Sequence, residues 1–150
     1  MRGTILIILL VTSLFFIGCT DEEQRNTRFD DVSDSIKAQF YEQFEKNSSS
    51  KLMLDIEEYQ LKEGSDIEIY YGLKNENSEV KNFQVITACG GDELDIDSLN
   101  EISIEPSNLK VLKSRITSPN SLENEEYNCE ITVLLDNNLY AEKSFLIMID

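Results

Sequence analysis

The chain has 150 residues, with 13 Lys and Arg against 29 Asp and Glu, no histidine, and a formal charge of −16. So negative a field repels nucleic acid phosphates and anionic headgroups, whose affinity rests on neutralisation by Lys and Arg; nucleic acid is excluded as a partner. Without histidine the Ser-His-Asp and Cys-His constellations are out of reach, and no pattern places two carboxylates in one pocket. No catalytic residue is assigned, no cofactor is expected, and the chain reads as a non-enzyme.

Arg2 precedes an apolar run, Ile5–Ile17, interrupted by Thr12 and Ser13 and closed by Gly18-Cys19. Spanning a bilayer takes roughly 17–25 residues, whereas the apolar part of an export signal takes about 7–15 and ends at small residues, so the length fits a signal. The ending Phe16-Ile17-Gly18-Cys19 resembles the substrates of signal peptidase II, the bacterial-type lipoproteins. That resemblance implies removal of residues 1–18 and lipidation of Cys19, with the membrane as a partner. An uncleaved N-terminal membrane anchor and an ordinary secretory signal are the alternatives. All three put the rest of the chain on the extracytoplasmic side, at a cell surface or in a periplasm.

Residues 19–50 read as an acidic tether, opening with Asp21-Glu22-Glu23-Gln24 and closing with Asn47-Ser48-Ser49-Ser50. Within it Phe29, Val32, Ile36, Phe40 and Phe44 fall in one stripe about 120° wide at 100° per residue, which predicts an amphipathic helix over about 31–46. Asp30, Asp31 or Ser33 is placed to cap it. Its polar face lacks the basic residues of a membrane-surface helix. Packing on its own domain, fraying, and docking an envelope protein partner are the three readings. Asn47-Ser48-Ser49 matches the N-glycosylation tripeptide, making Asn47 a candidate.

From Lys51 the apolar period becomes two. Ile67, Ile69, Tyr71 and Leu73 mark one strand, ending at Asn75-Glu76-Asn77, and Phe83, Val85, Thr87 and Cys89 another, ending at Gly90-Gly91. Tyr127, Cys129, Ile131, Val133 and Leu135 mark a third, and Phe145, Ile147 and Ile149 a fourth, joined by a hairpin turn at Asn137-Asn138. Weaker strands are expected at Leu52–Glu57, Ile102–Glu105 and Leu109–Leu112. About seven short strands separated by turn signals predict an all-β, antiparallel sandwich over residues 51–150. Tyr70 and Tyr140 are candidates for exposed interface tyrosines. Leu134, Leu146 and Met148 fall on the outward face of the last hairpin, to be covered by the 31–46 helix or by a partner.

With Cys19 lipidated, Cys89 and Cys129 remain as a pair, and even parity in an oxidising compartment favours a disulfide. Two buried thiols are the alternative. Alternation turns both sulfurs toward the core, which suggests a bridge between two sheets. Tyr127-Asn128-Cys129 resembles the Tyr-x-Cys of the tyrosine corner in immunoglobulin-like domains, and implies an Ig-like sandwich in which the Tyr127 hydroxyl bonds to upstream backbone. No tryptophan is present to pack on a bridge. The acidic run Asp92, Glu93, Asp95 and Asp97 offers oxygens for calcium without the EF-hand spacing, so its readings are a solvated loop or a weak metal site.

These features describe a membrane-anchored extracytoplasmic Ig-like module for surface display, adhesion or partner binding. The alternatives are an accessory subunit of an envelope complex docked through residues 29–44, and a calcium-dependent carbohydrate-binding domain using the Asp92–Asp97 loop.

Overall fold

The computed structural model describes residues 28–29, 31–121 and 126–150; the signal segment and Cys19 lie outside them. The elements are α1 (Asp34–Lys46), β1 (Leu52–Leu54), β2 (Glu58–Leu61), β3 (Asp66–Lys74), β4 (Lys81–Cys89), β5 (Asp95–Asp97), β6 (Glu101–Ile104), β7 (Leu109–Thr117), β8 (Glu126–Leu135) and β9 (Asn138–Ile149). They form a four-stranded sheet in the order β1-β3-β7-β5 and a five-stranded sheet in the order β2-β9-β8-β4-β6. The fold is an all-β sandwich, Ig-like in the broad sense.

Alternation builds the core. Ile69, Tyr71 and Leu73 of β3 and Leu112 and Ile116 of β7 face Phe83 of β4, Ile104 of β6, Ile131 of β8 and Ile147 of β9, all of them fully buried. At about 1.5–3 kcal/mol for each large apolar side chain removed from water, this layer is the main source of stability. Phe29 also lies in this core, so the packed body reaches N-terminally past the expected boundary at residue 51.

Nine strands are found among the described residues, two more than the alternation marks. β2 pairs in parallel with β9, so the five-stranded sheet is mixed, and β5 lies inside the supposed acidic loop. Both are short edge strands without a long alternating run. The hairpin turn falls one residue earlier than expected: positive φ is carried by Asp136 (52°) and Asn137 (61°), and Leu135 pairs with Asn138. Two consecutive positive φ values give the tight turn whose twist suits a hairpin.

α1 begins later than predicted. Ser33 occupies its N-cap position but its hydroxyl meets Ser35 Oγ at 3.1 Å instead of a backbone N–H, and Asp34 sits in the first turn, where a negative charge suits the helix dipole. The helix lies on the outer face of the four-stranded sheet, where Val32, Phe40 and Phe44 cluster with Val111, Tyr70, Met53 and Leu109. Gly72 makes this possible: a Cβ there would stand 2.7 Å from Phe44 Cε2 and 2.8 Å from Phe40 Cδ1.

Candidate functional site

The bridged end of the sandwich is built by β4 and β8. Cys89 and Cys129 stand directly opposite each other, with Cα atoms 3.9 Å apart, and are joined as a disulfide. Both strands belong to the five-stranded sheet, so the expected inter-sheet bridge is instead a staple between neighbouring strands. Alternation fixes which face a cysteine occupies and leaves open which strands adjoin. The core-facing direction holds, with Cys129 buried and Cys89 packed against the core.

Tyr127 is buried beside this bridge, and its hydroxyl donates to the Glu93 carboxylate. The upstream backbone at 122–125, to which a tyrosine corner would bond, lies outside the described residues. Asp97, on β5, forms an ion pair with Arg28 at 3.1 Å. Glu93 and Asp97 thus turn to separate partners, and among the described residues no group of three or more His, Cys, Asp or Glu is arranged to hold a metal ion. The calcium loop considered for Asp92, Glu93, Asp95 and Asp97 is not assembled.

The outer face of the four-stranded sheet is closed by α1 and by matched charges. Lys113 Nζ meets Glu68 Oε1 at 2.8 Å, and Arg115 Nη2 meets Asp66 Oδ2 at 2.7 Å. The hydrogen bond from Lys113, with a second from Tyr70, holds the Glu68 carboxyl below the usual range. Donation to Glu68 in turn pushes the Tyr70 hydroxyl up to about 12. Tyr70 is therefore a half-buried member of the helix-sheet contact and no exposed interface tyrosine.

Tyr140 is also redirected. The register of β8 and β9 shifts between Val133 and Leu134, and a bulge of this kind re-aims the extra residue. The Tyr140 ring lies 4.8 Å from that of Phe83, with Lys51 Nζ 4.6 Å from its centre. Its hydroxyl donates to Lys74 O at 2.9 Å and accepts from Glu76 N–H at 3.1 Å. Asn47 is exposed as the C-cap of α1, its N–H donating to Gln43 O at 3.0 Å.

The outer face of the five-stranded sheet carries the half-buried Leu134, Leu146 and Met148, with Ile86 at 42% and Leu139 at 61% exposure. The expected cover by the 31–46 helix is overturned, because that helix occupies the other sheet. At one end of this face is a shallow concavity of about 330 Å³, lined by Leu134, four amide side chains and the carboxyl groups of Glu101 and Asp136. A second cleft, of about 970 Å³, lies between Lys37 and Tyr41 of α1 and the segment from Ser103 to Val111. Among the described residues no helix is long and apolar enough to cross a membrane.

No family model matches the sequence, and no curated protein does. The fold is similar to part of the native Escherichia coli alpha-2-macroglobulin, at 11% identity and a TM-score of 0.52 over 68% of this chain and 7% of that one. A fragment of the same protein, from domain MG7 to its C-terminus, matches at 12% identity and a TM-score of 0.50 over 66% of this chain and 16% of that one. A FixG-related protein from Vibrio parahaemolyticus matches at 16% identity over 66% of this chain and 93% of that one, with a TM-score of 0.49. The class that the fold defines is a two-sheet β-sandwich module.

Proposed function

We propose that the chain is an exported, N-terminally anchored β-sandwich module that presents a binding surface outside the membrane and carries out no chemistry itself. The observation that carries this reading is the Cys89–Cys129 disulfide. Disulfides persist in oxidising compartments, which agrees with the export signal read in residues 1–18 and with Cys19 as the lipidated residue. A single acyl chain anchors weakly, whereas two or more, at about 0.8 kcal/mol per buried methylene, hold a protein stably.

Docking on an envelope partner through the apolar face of residues 29–44 loses its support, because Phe29, Phe40 and Phe44 are buried against this chain's own sheets. Carbohydrate binding through calcium finds no support among the described residues, where Glu93 bonds to Tyr127, Asp97 pairs with Arg28 and no group of three or more ligating side chains is formed. Substituting Cys19→Ala tests the anchored reading: the processed, acylated species is expected to disappear, replaced either by a soluble species or by a membrane-bound precursor that keeps residues 1–18. Unchanged membrane association with the signal already removed would contradict it.

A further inference from the structure

The two outer faces of the sandwich differ in charge pairing. On the four-stranded sheet Asp66, Glu68 and Asp97 have cationic partners in Arg115, Lys113 and Arg28, which leaves Asp95 as the one outward strand carboxylate there without an ion pair to a described residue. On the five-stranded sheet the strand register places Glu58, Glu101, Glu126, Glu130 and Glu142 outward, and no Lys or Arg shares that face among the described strand residues. None of the five forms an ion pair with a described residue.

Apolar groups are interleaved with these carboxylates. Leu146 lies opposite Glu58, Met148 opposite Glu126, and Leu134 stands one strand from Glu101 through Gln84. Lys and Arg side chains suit such a surface, since their methylene stems cover apolar groups while the cationic head reaches a carboxylate. The concavity of about 330 Å³ has this character at one point, with Leu134 in its lining together with Glu101 and Asp136.

We infer that the outer face of the five-stranded sheet docks a cationic amphipathic segment of another protein, in which Lys or Arg alternates with aliphatic residues. This rests on the binding-module reading and names its surface and the chemistry of its partner. A second copy of this chain does not fit, because it would bring five more glutamates against these five within a molecule of charge −16. α1 does not fit either, since its apolar stripe already lies on the other sheet.

The test uses the full chain in detergent at about 150 mM salt, where the Debye length is about 8 Å. The probe is a fluorescent peptide of about nine residues, the span of a long strand, alternating Lys and Leu, with a Lys and Ser counterpart. Glu101→Lys with Glu130→Lys alters the face, and Glu45→Lys with Asp92→Lys makes the same change in net charge at exposed sites elsewhere; thermal melts confirm that both fold. The face pair is expected to weaken binding of the Lys-Leu peptide about tenfold and the control pair less than about twofold, with the Lys-Ser peptide weaker throughout. Equal losses in the two pairs, or no binding by the Lys-Leu peptide, would overturn the inference. Neither result bears on anchoring, which the Cys19→Ala variant decides separately.

Discussion

Asn75 shows how much one buried polar side chain holds in place. Its Nδ2 donates to Glu79 O at 2.8 Å and Ile104 O at 2.9 Å, and its Oδ1 accepts from Asn77 N–H at 2.9 Å. Its own N–H reaches Asn108 O at 2.9 Å, so one residue ties the end of β3 to β6 and to the approach to β7. Asn75→Ala leaves several buried groups without partners, at roughly 1–3 kcal/mol each, and is expected to destabilise by about 3 kcal/mol in a denaturant melt. From sequence Asn75 reads as a turn residue, because turn chemistry and buried bracing draw on the same side chain. Tyr71 is the opposite case, since its buried hydroxyl makes no well-formed hydrogen bond among the described residues and is met only weakly by the Ser114 side chain. Tyr71→Phe is expected to stay within about 1 kcal/mol of the parent or to exceed it at neutral pH. Burial pushes the Tyr71 hydroxyl up to about 12 from an ordinary 10, so the folded state disfavours its ionised form. The parent then loses stability as pH rises from 10 toward 12, and Tyr71→Phe should shift alkaline unfolding upward. Glu68 acts at the other end of the scale: its lowered carboxyl contributes stability above the ordinary 4.5 that is lost as pH falls through the depressed value. Glu68→Gln should therefore flatten the acid limb of the stability curve.

Among the elements, the docking of α1 on Gly72 is the most exposed to test. Gly72→Val puts methyl groups into space held by Phe40 and Phe44, and is expected to lift the helix, speed proteolysis within residues 47–50 and destabilise by about 2 kcal/mol or more. Phe44→Ala made in the same chain should recover part of that loss, since the two residues touch and their effects couple. The helix itself was legible from its stripe, and β3, β4, β8 and β9 from alternation, because each repeats a period several times. The target of the helix was not legible from the stripe, which says that a face is apolar and nothing of what it meets. Gly72 was the available signal: a glycine within a strand marks close approach by another element. The Cys89–Cys129 pairing shows the same limit, since parity and alternation supplied the bond and its face while strand order supplied the neighbour. Tyr140 eluded alternation because a bulge interrupts the count of two.

Across the whole molecule, the Cys89–Cys129 bridge is the covalent tie that restricts the unfolded chain. The disulfide joins residues separated by 40 in sequence, and in the chain-entropy model closing such a loop contributes roughly 4 kcal/mol. Cys89→Ser with Cys129→Ser should lower stability by an amount of that order, measured without reductant. Under the proposed function, a signal ending at Cys19 delivers a disulfide-stapled sandwich to the outer side of a membrane. Intact mass of the protein extracted from native membranes, taken with and without reductant, tests both parts together. The expected result is loss of residues 1–18, an acyl increment on Cys19, and a gain of about two daltons on reduction as the Cys89–Cys129 bond takes up two hydrogens. A full-length mass without acyl groups, or a mass that reductant leaves unchanged, would contradict it.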